Sequence, residues 1–336
     1  MYIDTHLDAF YHMRFNNRGF NAYQEQENVH VDIVRARKGG LGIGFFTGFP
    51  NCAYFFSDEA GYKIKPHRDD ITDVNLTEEF LRDWIEITRD ESNGLRVLKS
   101  KSELKEHLST YKMSETQKIG CIMHFEGAAG IDESLHRLYI YHEAGLRSMG
   151  LTWNETNQFA TGAPGDKNRG LTESGKDLLS AMETLGILID VSHLNDKSFW
   201  DVVANTNKPI FASHSNLRKR ANVIRNLENE MVLEIAKSGG SVGINLCKGF
   251  LSTDKEHNFN MQCVIEMIKG VIEITGTCDA VHIGTDFDGC QTPADLKDVS
   301  YMPKFFASLK EKLELSDEDL RKIQYGNVVR IIENYW

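Results

Sequence analysis

Histidine and carboxylate residues at four well-separated points of this chain have the types and placement of a metal-ligand set. His6 and Asp8 lie in IDTHLD, Glu126 in MHFEG, His193 in LIDVSH and His214 in FASHS. Each is a short apolar run that ends where the ligand-type residue begins. Residues two apart on an extended strand share a face, so His6 and Asp8 converge on one ion, with Asp4 below them. Glu126 is followed directly by glycine, and its two oxygens suit it to bridge two cations. His193 and His214 end consecutive apolar runs and so bring neutral imidazoles side by side. Asp8 and Glu126 set two negative charges against the four positive charges of a zinc pair, which favours a bound hydroxide and acidifies its parent water. That metal-bridging hydroxide is the expected nucleophile. Asp286, in HIGTDFDG, is suited to take its proton and pass it to a leaving amine. Asp288 competes for this role, because alternation puts both on one side of an extended chain, but Asp286 lies closer to the strand body.

Such a set needs elements that end at one place. Strand-like apolar runs occur at 2–6, 41–47, 120–125, 146–152, 186–191, 209–213, 240–246 and 281–285, eight in all. Between them, ESGKDLLSAMETLG, NDKSFWDVVANTN, NEMVLEIAKSGG and NMQCVIEMIKGVIEITG space their apolar residues as helices do, with Ser, Asp or Asn near their starts. Strand and helix in alternation imply parallel pairing, and eight such units close into a (β/α)8 TIM-type barrel with its active site at the C-terminal strand ends. The proposed ligands all fall at those ends. An open doubly wound sheet would carry a Gly-rich phosphate turn after a strand, whereas the glycines of GLGIGFFTG at 40–48 lie within one and permit close packing. RVLKS at 96–100 is a ninth strand or a peripheral piece, and 304–335 reads as helical, with SDED at 316–319 suited to an N-terminal cap. Long connections at 9–38 and 154–172 are expected to shape a pocket.

A chain of 336 residues with 41% hydrophobic content can bury one large core, so residues 1–336 are expected to form a single domain. A net charge of −11 repels phosphate backbones and anionic lipid, which argues against nucleic acid and membrane partners and for small molecules. No stretch approaches the ~20 apolar residues of a membrane span, and the start lacks the basic-then-apolar order of a secretion signal. Cys52, Cys121, Cys247, Cys263, Cys278 and Cys290 show no CxxC spacing, so reduced thiols in a cytoplasm are expected. His124 and His282 read as buried, hydrogen-bonded core residues. His12, His30, His67, His107, His136, His142 and His257 lack partner spacing and read as solvated.

In order and spacing, HLD, FEG, GLTESGKDLLSAMETLGILIDVSH, PIFASHSNLR, RNLENEMVLEIAKSGGSVGINL and GTDFDG resemble the membrane (renal) dipeptidases over most of the chain. That resemblance implies a metallo-dependent hydrolase-like barrel, a binuclear zinc metallopeptidase with a dipeptide as substrate, and a homodimer. Carried over by position, it implies His6, Asp8 and Glu126 on one zinc, Glu126, His193 and His214 on the other, and Asp286 as proton shuttle. It also implies that Arg225, eleven residues past His214, grips the substrate's terminal carboxylate, a bidentate task suited to a guanidinium.

The sequence departs from the family at two points. The family's LTH element is LTWN here, so Trp153 replaces a histidine that supports the carbonyl oxygen. An indole N–H donates one neutral hydrogen bond, weaker for an oxyanion than a charged donor, and Asn154 and Asn157 are nearby donors. DAFYHM replaces the NDLP-like residues after the first ligands. Hydrolysis of another small amide or a cyclic C–N bond is therefore the rival activity, and a non-catalytic binding barrel is the rival class.

Overall fold

Because a parallel barrel is covered on both faces, its strands read as continuous apolar runs, and here every residue of the four longest is buried. A computed structural model describes residues 1–10, 25, 29–49, 72–253 and 259–336. Among them the strands are β1 (Tyr2–Leu7), β2 (Leu41–Gly48), β3 (Leu95–Val97), β4 (Ile119–Phe125), β5 (Leu146–Gly150), β6 (Leu188–Asp190), β7 (Ile210–Ser215), β8 (Val242–Ile244) and β9 (Val281–Ile283). The order β2-β1-β9-β8-β7-β6-β5-β4 closes on itself through β2–β4, where Ile43–Gly48 run in register with Gly120–Phe125. Every pairing is parallel. The result is a closed eight-stranded TIM-type barrel.

The helices are α1 (Ile33–Gly39), α2 (Asp73–Arg89), α3 (Lys101–Thr110), α4 (His136–Ala144), α5 (Glu173–Leu185), α6 (Asp196–Asn205), α7 (Asn229–Lys237), α8 (Lys248–Leu251), α9 (Met261–Thr275), α10 (Met302–Lys312), α11 (Asp317–Arg321) and α12 (Asn327–Tyr335). The four read from periodicity are α5, α6, α7 and α9. Side-chain oxygens satisfy first-turn amides in three of them: Thr172 accepts from Gly175 N at 3.0 Å, Asn195 from Ser198 N at 2.8 Å and Asn260 from Gln262 N at 3.0 Å. α5 buries Leu178, Leu179 and Met182, each worth roughly 1.5–3 kcal/mol of apolar transfer.

Several expectations need adjustment. The apolar run at 186–191 yields only Leu188–Asp190, because Ile187 N closes α5 on Met182 O, and that at 240–246 only Val242–Ile244, because Gly240 N closes α7 on Ile235 O. β3 pairs only with the first residues of β4 and stands outside the closed ring. Gly40 is not a strand residue; it ends α1 in the left-handed region at φ 72°. His107 is not solvated: α3 buries it, and its Nε2 meets Gly42 O at 2.9 Å. His30 is half-buried, its Nδ1 accepting from Asp288 N, whereas His136 is exposed and His142 half-buried. His12, His67, His257 and Cys52 lie outside the described residues, as does most of 9–38.

Ser316 caps α11 as its sequence suggested, accepting from Asp319 N at 3.0 Å. Asn327 Nδ2 donates to Cys278 O and Val281 O, and Tyr335 Oη donates to Pro209 O. α12 is thereby tied to the starts of β7 and β9, opposite the end where the candidate ligands gather. Among the described residues no helix is long and apolar enough to cross a membrane.

Candidate metal centre

Fold closure brings the sequence-predicted ligands together. His6 lies in β1 and His214 in β7, while Asp8, Glu126, His193 and Asp286 follow the ends of β1, β4, β6 and β9; all are buried. Glu126 Oε1 lies 3.8 Å from His6 Nε2, 2.8 Å from His193 Nε2 and 3.3 Å from His214 Nε2. A single carboxylate oxygen thus faces all three imidazoles. His6 Nε2 is 3.6 Å from Asp8 Oδ2, and ligand atoms of His6, Asp8 and Asp286 lie within 4.8 Å of one another, as do those of His6, Glu126 and His214.

Irregular backbone does much of the aiming. His193, Asp286 and Asp288 take left-handed conformations at φ 67°, 62° and 71°, which cost a non-glycine residue of order 1 kcal/mol or more and persist where surroundings enforce them. The His193 carbonyl is held by Ala163 N at 2.7 Å and Thr152 Oγ1 at 3.3 Å. Gly127 follows Glu126 at φ 105°, and a Cβ there would meet Trp153 N at 2.9 Å. Asp286 and Asp288 are therefore not on one side of an extended chain as alternation implied. Asp288 accepts from His30 N and Val31 N, whereas Asp286 Oδ2 accepts from Asn245 Nδ2 at 3.0 Å and faces His6 and Asp8.

Hydrogen bonds fix the tautomers. Ser213 Oγ donates to Asp190 Oδ2 at 2.6 Å, so it accepts from His214 Nδ1 at 2.7 Å. Asn154 Oδ1 accepts from His193 Nδ1 at 2.8 Å. Both Nδ1 atoms carry the proton, and the two Nε2 lone pairs face each other at 2.9 Å, beside Glu126. His6 is fully buried with neither ring nitrogen hydrogen-bonded. Each buried acceptor lacking a donor costs roughly 1–3 kcal/mol, a large share of a net stability near 5–15 kcal/mol.

The charges tell the same story. Burial lowers His6 to about 4, the Arg225 charge adding to the effect while Asp286 and Asp190 oppose it; burial also holds His193 and His214 well below the usual imidazole range. Burial, then the Asp8 and Asp286 charges, push Glu126 well above the carboxylate range. Burial raises Asp286 to about 6 despite His6 beside it. Neutral imidazoles and crowded carboxylates in a dry pocket need positive charge, and divalent cations fit this donor set.

The centre floors a cavity of about 150 Å³, whose wall includes Phe49, Trp153, Phe250, Cys247 and Cys290. The Trp153 ring lies 5.1 Å from Phe49 and 5.9 Å from His193, centroid to centroid. Arg225 is buried rather than displayed on the wall: Nη1 donates to Ser215 Oγ, Nη2 donates to His214 O and, at 2.8 Å, to His214 Nε2, the place a cation would take, and Phe250 lies 5.8 Å away. Its Nε has no partner.

A model of the membrane dipeptidase family, peptidase family M19, matches residues 1–335. The chain belongs to that family. It is a metallopeptidase, a metal-dependent hydrolase that acts on dipeptides. It is 26% identical to a metallo peptidase from Rhodobacter sphaeroides solved with a phosphinate mimic of the dipeptide L-Ala-D-Ala, with a TM-score of 0.86 and coverage of 100% of this chain and 99% of that one. An uncharacterized dipeptidase of Schizosaccharomyces pombe is 27% identical over 98% of this chain and 79% of its own length. An uncharacterized protein from the pqqA 5' region of Klebsiella pneumoniae is 34% identical over 66% of this chain and 84% of its own.

Sequence reasoning missed several dipeptidase-site residues. Asn245, in INLC just past β8, was available as a polar residue beyond a strand end. The Ser213–Asp190 relay lies within runs read only as strands, and nothing in their spacing distinguishes it.

Proposed function

We propose that this dipeptidase works with two zinc ions, one held by His6, Asp8 and Glu126 and the other by Glu126, His193 and His214. The observation that carries this reading is the convergence of three neutral imidazoles on one oxygen of Glu126. Bound there, the cations supply Lewis acidity, which acidifies water and polarises the scissile carbonyl. The remaining steps fall to the chain's own groups. Asp286, raised to about 6, takes a proton from the attacking water and returns it to the departing amine. Arg225, whose Nε is unpartnered, is the group for the substrate carboxylate. Asn154 spends its carbonyl oxygen on His193, so its amide N–H groups are what it offers to substrate.

Trp153, bordering the cavity where the family has histidine, favours a second reading with the same metals and another small amide or cyclic C–N bond. The free thiols fit a reducing cytoplasm. The deciding assay supplies the zinc-loaded chain with L,L, L,D and N-acylated dipeptides and a cyclic amide, the L,D member being suggested by the Rhodobacter ligand. Turnover of free dipeptides with two zinc equivalents per chain is expected. Inactivity on every dipeptide alongside turnover of the cyclic amide would reverse the ranking.

A further inference from the structure

Two thiols that the metal chemistry does not use stand in the cavity wall, on segments that also carry Asn245 and Asp286. Cys247 follows β8 and Cys290 lies beyond β9; both are half-buried and border the same cavity as Glu126, His193 and Asp286. The segments run side by side, Leu246 N bonding Thr285 O at 3.1 Å and Lys248 N bonding Gln291 O at 3.0 Å. The two side chains are near enough for each thiol to shift the titration of the other. Cys121 is buried in β4, and neither Cys263 on α9 nor Cys278 before β9 borders this cavity.

We propose that Cys247 and Cys290 form an oxidisable dithiol that a low-molecular-weight disulfide converts into an internal disulfide, lowering turnover. The Cys247 thiolate attacks one sulfur of the small disulfide, forming a mixed disulfide and releasing one thiolate. The Cys290 sulfur, giving up its proton, then attacks the Cys247 sulfur and releases the second. The protein loses two hydrogens and two electrons, and the small disulfide leaves as two thiols. The neighbouring Cys290 thiol holds Cys247 below the usual thiol range, whereas burial pushes Cys290 above it, which sets this order of attack.

The site would feel the closure by two routes. Asn245 Oδ1 accepts from Cys247 N at 2.6 Å, while the same side chain's Nδ2 holds Asp286 Oδ2 at 3.0 Å. Gly289, next to Cys290, packs so closely that a Cβ on it would lie 2.1 Å from Asp8 Oδ2 and 2.3 Å from Asp286 Oδ1. Drawing the sulfurs into a bond therefore shifts the groups that position Asp286.

The test treats the full zinc-loaded chain with oxidised glutathione, maps its peptides without reduction and measures dipeptide turnover before and after. The expected result is a bridged Cys247–Cys290 peptide pair and a fall of about tenfold or more, the scale of a catalytic group displaced by around an ångström, reversed by dithiothreitol. Cys290→Ser should stop at a glutathione adduct on Cys247. In Cys247→Ser the ratio of treated to untreated turnover should stay near one, whatever its starting rate. No bridge in the wild-type chain, a bridge with undiminished turnover, or an equal fall in Cys247→Ser would overturn the proposal. The effect on turnover rests on the dipeptidase reading, but the bridge is read by mass, so failure of the two can be told apart.

Discussion

His6 and His282 are both fully buried imidazoles in one barrel, and both are kept neutral, chiefly by burial, at about 4 and about 3. They differ in what surrounds them. His282 meets Ser241 Oγ at 2.7 Å through Nδ1 and Thr5 Oγ1 at 2.9 Å through Nε2, whereas His6 has neither nitrogen hydrogen-bonded and faces Asp8 and Glu126. Burial and a shifted titration are thus shared by a core histidine and a ligand. Of these two, only His6 keeps unmet ring nitrogens beside the Asp8 and Glu126 carboxylates, the arrangement expected of a side chain held ready for a cation.

Removing the oxygen that gathers the imidazoles should have the largest effect. Glu126→Ala is expected to empty the zinc site and cut turnover by roughly a thousandfold or more, the scale of losing a principal electrostatic element, as read by elemental analysis and steady-state rates. Zinc stoichiometry surviving in that variant would break the contrast between the two regions. The relays that fix the tautomers come next. Asn154→Ala and Ser213→Ala should each weaken zinc binding by about 10- to 100-fold, measured by competition with a chelator. If neither affinity moved, the Nδ1 hydrogen bonds would be packing rather than orientation.

The smallest effect is expected in the other region. His282→Ala should keep its zinc but lose roughly 1–3 kcal/mol in chemical denaturation, since Ser241 and Thr5 lose a buried partner. The loss should depend on pH with a definite sign. The folded His282 stays neutral down to about 3, while in the unfolded chain it takes a proton below ~6.5. Its stabilisation is therefore complete above that value and declines by roughly 1.4 kcal/mol per pH unit on acidification towards about 3. The gap between wild type and variant should narrow as pH falls from neutral, and a gap that widened would contradict the neutral assignment.

Much of this was legible from residue order. The barrel strands, the helices α5, α6, α7 and α9, and the stretches carrying His6, Asp8, Glu126, His193, His214 and Asp286 all announce themselves through apolar periodicity ending at a polar residue. The failures have local causes. Alternation could not separate Asp286 from Asp288 because both adopt positive φ. His107 looked like a solvated helix residue, but its face of α3 packs on the start of β2. Arg225 was singled out by resemblance alone, because its surroundings, His214 before it and Phe250 after it, are assembled only by the fold.

Sequence by itself determined which stretches become the barrel strands and which of them close with a metal-binding type of side chain, because periodicity and capping are decided within a few residues. Only tertiary structure decided which of those side chains are satisfied. The partners of His282 come from Thr5 and Ser241, and the orienting partner of His193 from Asn154. A hydrogen bond is met or left open by whatever the fold brings alongside, and that is what sets His282 apart from His6.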